Sequence, residues 1–172
     1  RGGQIDYLMM DYLAEVTMSI LQKQRARDPE AGYARDFISL MQEILPDCVE
    51  KDIKVMSNAG GVNIEGCAAA LKETALGLGL GGKVKIGVVT GDDITDRLAY
   101  LIARGMPLAN METGEPLEAI LPAVRSASVY LGGRAIVEAL GLGARIVITG
   151  RCMDTALTYA PLVHEFGWGW DD

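Results

Sequence analysis

Histidine is almost missing from this sequence and cysteine is scarce: one histidine and three cysteines among 172 residues. Cys48, Cys67 and Cys152 are odd in number and widely spaced, which excludes a disulfide framework. With no CxxC pair and the single His164, a structural zinc site is excluded as well. Unpaired cysteines fit a reducing compartment, and a cytoplasmic protein is expected. Basic residues are outnumbered, 16 against 23 acidic, for a formal net charge of −7. That balance argues against broad nucleic-acid binding and against docking on an anionic membrane. The longest basic cluster, Lys23 to Arg27, decorates a helix end. No apolar run is long enough to span a bilayer, and no signal peptide is visible. The strand-to-helix loop Ser57–Asn63 carries neither a GxGxxG fingerprint nor a P-loop, which weakens nucleotide-dependent redox chemistry.

What is present is enough apolar material for a core, 49% of residues, in a length that suits one domain spanning 1–172. One pattern recurs: a short apolar run, then Gly, Asn or Asp, then a helical pattern. Ile5–Met10, Ile53–Met56, Val84–Thr90, Ser128–Leu131 and Ile146–Thr149 read as five strands. The helix after the second carries Ile64, Ala68, Leu71, Ala75 and Leu78 on one face, with Asn63 as N-cap and Gly79 as stop. A helix capped by Asp93 and ended by Gly105 follows the third strand. A further helix from Arg35 to about Asp52 contains Pro46, which is expected to kink or divide it. Met106 to Pro122 reads as a long loop with a short helix near its end. Strands that are apolar throughout and alternate with helices define an α/β fold, a Rossmann-like parallel sheet flanked by helices. Ligands in such folds bind beyond the carboxyl ends of the strands.

Three strand-end loops carry candidate chemistry. In Ser57–Asn63, the glycines Gly60 and Gly61 precede a helix start, so Asn58, Gly60, Gly61 and Asn63 suit a phosphate or carboxylate; the same glycines also suit a tight turn. In Gly91-Asp92-Asp93, the adjacent carboxylates suit a hydrated magnesium, or one is a candidate base; alternatively Asp93 simply caps a helix while Asp92 is solvated. In Gly150–Asp154, Arg151 is placed to clamp a carboxylate or phosphate, with Asp154 orienting it or capping the helix. Asp11 and Glu15, four residues apart, form a further carboxylate pair on one helix face. His164, beside Glu165, lies away from the ligand edge, and a Cys152–His pair is doubtful.

At these loops the sequence resembles the N-terminal domain of the acyclic terpene utilisation family. The resemblance is carried, in order, by Asp11–Met18, Ser57–Asn63, Val89–Asp93, Ile148–Arg151 and His164–Trp168. Family members are longer, which with the Arg1-Gly2-Gly3 start leads us to expect that this chain is a piece of a larger polypeptide. The resemblance implies breakdown of branched acyclic terpenoids and related acids through coenzyme A thioesters, alongside biotin-dependent acyl-CoA carboxylases. The expected activity is that of a hydratase or lyase on a branched acyl-CoA, with no resident cofactor. The rival is a non-catalytic module that holds an acyl-CoA or a carboxylase subunit. Its expected partners are the thioester, that subunit and further copies of the same chain.

Overall fold

Tyr7–Met10 (β1), Lys54–Ser57 (β2), Ile86–Val89 (β3) and Ile146–Thr149 (β4) form an all-parallel sheet in the order β1-β2-β4-β3. The structure is a computed structural model that describes residues 3–170. Met10 pairs with Ser57, Ser57 with Ile148, and Val89 with Thr149, so the carboxyl ends of the strands lie level along one edge.

Strand alternation divides the core into two layers. Val55, Ile146 and Ile148 face a cluster built from α2 (Arg35–Glu50) and α3 (Ile64–Gly77), centred on Phe37, Met41 and Leu71. Met56, Val147 and Val89 face α5 (Arg134–Gly141) and α6 (Ala156–Phe166), through Ile136, Leu140 and Leu157. Every residue of β4 is buried, as a central strand covered on both faces requires. Each such side chain contributes about 1.5–3 kcal/mol on burial. α1 (Glu15–Arg27) is different: Leu21 is its buried residue, and it is tied down by polar contacts to the strand-end loops. No helix among the described residues is long and apolar enough to cross a membrane.

The sequence reading needs correcting at several elements. Ser128–Leu131 is not a strand. Its backbone crosses the ends of β3 and β4, making isolated bridges between Asp93 and Ser128 and between Leu131 and Cys152. Val129 and Tyr130 are exposed there, with no apolar layer to bury them. The third unit starts its helix late: a 3-10 turn, Thr95–Arg97, leads into the short α4, Leu98–Ala103. α2 runs unbroken through Pro46. On α3 the buried stripe takes in Cys67 and stops short of Leu78, which is exposed. The 106–122 stretch holds a bridge between Ala109 and Pro116 and two 3-10 turns.

All three cysteines are buried as free thiols. Burial pushes Cys67 up to about 12, and it raises Cys48 and Cys152 as well. Since the thiolate is the reactive form, we expect the native protein to resist a thiol reagent at pH 8 and to titrate three thiols once unfolded. Rapid labelling of a thiol in the folded protein, read by mass, would contradict this packing.

Candidate functional site

The carboxyl edge is assembled by side chains that tie one strand end to the next. The buried Asn58, just past β2, accepts from the Tyr12 amide at 2.7 Å and donates to Asp11 Oδ1 at 2.6 Å. Asp11 also accepts from the Leu13 amide at 3.0 Å. Asn63 caps α3 by accepting from the Gly66 amide at 3.0 Å, and its amide nitrogen donates to Pro29 and Ala31 carbonyls. Both asparagines are thus spent on holding loops together.

The two glycines between them serve close packing. A Cβ on Gly60 would stand 2.6 Å from the Thr149 carbonyl oxygen, and Gly60 N donates to that oxygen at 3.1 Å. Gly61 has φ +55°, a left-handed conformation, and a Cβ there would meet Gly32 O at 2.6 Å. Because β2 leads to α3 on one face and β4 leads to α6 on the other, the crevice between their ends is the topological switch point. Gly60 closes that crevice with protein backbone. The Gly61 amide is also used, donating to Asn58 O.

The open space lies to one side. A cleft of about 270 Å³ runs between Gly61–Val62 and the start of α3 on one wall, and Thr90–Asp93 with Ser126–Ser128 on the other. Met18 and Arg25 of α1 also line it. Intrahelical carbonyls cannot reach the Ile64 and Glu65 amides at the start of α3. The Glu65 side chain stands beside them, however, and Arg25 is the cleft's one cation against Glu65, Asp92 and Asp93. Arg25 is itself bonded to the Val62 carbonyl. This charge balance disfavours a phosphate inside the cleft.

The adjacent aspartates part company. Asp93 Oδ1 accepts from the Thr95 amide at 2.9 Å and the Thr95 hydroxyl at 2.6 Å, closing the turn that precedes α4. Asp92 is not solvated, contrary to the alternative reading: it is 3% exposed, with Oδ2 accepting from the Arg151 amide at 2.7 Å. A Cβ at Gly150 would lie 2.7 Å from Asp92 Cγ, so glycine at 150 is what lets the carboxyl lodge against the end of β4. Burial raises the Asp92 pKa above the ordinary carboxylate range, and the backbone amides of Arg151 and of Asp92 itself oppose that rise.

Arg151 is 5% exposed and is held on several sides. Nη1 donates to the Leu13 carbonyl at 2.5 Å, while Nη2 donates to Tyr130 Oη at 2.7 Å and Glu15 Oε1 at 3.1 Å. The guanidinium stacks over the Tyr130 ring at 4.3 Å, and the Tyr130 hydroxyl donates to Glu15. The ion-pair partner is therefore Glu15 and not the exposed Asp154. Nor do Asp11 and Glu15 act as a pair: α1 begins only at Glu15, Asp11 turns to Asn58, and Glu15 turns to Arg151. Tyr130 was missed in the sequence because it fell inside a segment read as strand. Only its position a few residues before Gly133, on a chain returning over the strand ends, marked it.

The opposite edge holds the remaining candidates. Glu165, beside His164 in the last turn of α6, pairs with Lys54 at 2.8 Å and with Tyr7, at the amino ends of β2 and β1. Cys152 is buried and accepts from Thr149 Oγ1 at 3.4 Å, so no Cys–His pair forms. Among the described residues, no group of three or more His, Cys, Asp or Glu is placed to hold a metal ion.

Fold and site together define an α/β protein whose buried charged residues, Asp92 and Arg151, meet at the carboxyl edge of a parallel sheet, the position where such folds handle small molecules. The whole chain, residues 1–172, matches the model of the acyclic terpene utilisation family protein AtuA, and the chain belongs to that family. No curated protein and no solved structure gives a significant match. Family membership ties the chain to the use of acyclic terpenes.

Proposed function

We propose that this protein acts on a branched acyl-CoA thioester at the carboxyl edge of its sheet, as an enzyme of the hydratase or lyase type. The observation that carries the reading is Asp92: a buried carboxyl with a raised pKa in the wall of a part-apolar cleft. Groups perturbed in this way gather where protons are transferred. Met18, Val62 and Ile64 supply apolar wall for a branched acyl chain. The volume suits an acyl group and not a whole coenzyme A, so the nucleotide end lies outside the cleft, away from its three carboxylates. In hydration, a base takes a proton from water as the oxygen adds to the β-carbon, and the α-carbon gains a proton; elimination of water is the reverse. Asp92 is the group we assign to the proton at the adding oxygen.

A second reading, a non-catalytic module that holds an acyl-CoA or a carboxylase subunit, is favoured by Asp93, whose carboxylate is committed to the Thr95 turn. The two are separated by titrating the protein with coenzyme A and branched acyl-CoA thioesters while following the melting temperature. A ligand that binds only the folded state stabilises it by about 2.7 kcal/mol at a hundred times its Kd. We expect a saturable rise with thioesters, together with product formation that Asp92→Asn removes. A rise without turnover assigns the acyl-CoA-holding module, and no rise with any thioester sinks every acyl-CoA reading and leaves only a module that holds a carboxylase subunit.

A further inference from the structure

We propose that Arg151 and Tyr130 form a carboxylate-binding subsite, and that the protein fills it with its own Glu15 side chain when no ligand is bound. Two donors converge on one oxygen: Arg151 Nη2 stands 3.1 Å from Glu15 Oε1, and the Tyr130 hydroxyl donates to the same atom. Both donors keep other partners without Glu15. The guanidinium is anchored by the Leu13 carbonyl at 2.5 Å and by the Tyr130 ring beneath it. The phenol is held by its own bond from Arg151 at 2.7 Å.

The asymmetry of the ion pair points to a receptor. The Arg151 side chain is 6% exposed while that of Glu15 is 77% exposed. An exposed carboxylate gains little from a surface pair and is free to leave. Its departure exposes a fixed cation and a fixed hydroxyl to solvent at one point, whereas the departure of Arg151 would break the frame. The oxygen now in place is a carboxylate oxygen, and a guanidinium with a neighbouring hydroxyl matches that group. A phosphate shares the anionic oxygens, so the experiment must separate the two. The proposal does not rest on the thioester reading, because a plain carboxylic acid tests it and Asp92 takes no part.

Isobutyrate is titrated into the full chain by calorimetry at constant ionic strength, alongside inorganic phosphate. Removing the internal competitor in Glu15→Gln or Glu15→Ala should tighten isobutyrate binding about tenfold or more, the scale of one charge-assisted hydrogen bond. Adding Arg151→Lys or Tyr130→Phe to Glu15→Gln should undo the gain, with circular dichroism confirming that each variant is folded. A purely structural Glu15 would leave the affinity unchanged or lower it, and that result would overturn the proposal. So would a gain that survives in both double variants, or a preference for phosphate over isobutyrate.

Discussion

Asp92→Asn is expected to lower turnover of a branched thioester by about 10²–10⁴-fold, the usual contribution of a positioned acid or base, while the melting temperature at neutral pH holds or rises. The two halves of that expectation have one cause. Burial holds the Asp92 carboxyl above its ordinary value of 3.8. The folded protein therefore keeps a proton that the unfolded chain has released. Across that interval the native state binds more protons, so this group's contribution to stability falls as pH rises from the ordinary value to the folded one, then stays level. Asparagine does not carry the desolvation cost that a charged carboxylate meets at this buried position. Asparagine keeps an oxygen that accepts from the Arg151 amide, so the tie between the ends of β3 and β4 survives. The unaltered enzyme should show an acid limb in kcat/KM displaced above the ordinary carboxylate range. Asp93→Asn serves as the comparison, since its carboxylate is committed to the Thr95 amide and hydroxyl in the turn before α4. An Asp92→Asn protein that is active, or active but markedly less stable, would mean that Asp92 is only a strap between strand ends.

The sheet was legible in the sequence wherever an element is defined by burial on two sides. β4 reads as four consecutive apolar or β-branched residues because both of its faces are covered. α3 was legible because its buried stripe has a helical period and Asn63 does cap it. Ser128–Leu131 misled because Val129, Tyr130 and Leu131 satisfy a strand pattern locally, and only tertiary placement decides that they cross the strand ends. The site was legible as positions and not as partners. Asp92, Arg151 and Gly150 stand where strand-end logic puts them. That Arg151 would choose Glu15 over Asp154 depends on where α1 begins, and α1 carries almost no buried residue to announce its course. The glycines at 60 and 61 were legible as a tight place, yet what they approach is protein and not ligand.

That last distinction has a measurable consequence at Gly60. Gly60→Ala is expected to destabilise the fold by about 1–3 kcal/mol, the usual cost of overpacking a filled interior. The added Cβ would stand 2.6 Å from the Thr149 carbonyl oxygen and 3.0 Å from two carbons of Ile64. Neither neighbour gives way cheaply. Thr149 is the buried last residue of β4, and Ile64 is in the core cluster. Gly82→Ala is the control, because a Cβ there meets nothing within 4 Å and its φ needs no glycine. Urea unfolding with an unchanged m value would place the loss in the native state. Gly60→Ala as stable as Gly82→Ala would show that the crevice between β2 and β4 has room, and a ligand approach at the switch point would then be restored. If the loss appears as expected, failure of a Gly60 variant to bind a thioester reports a weakened fold, and only variants at Asp92, Glu15, Tyr130 or Arg151 speak to ligand recognition.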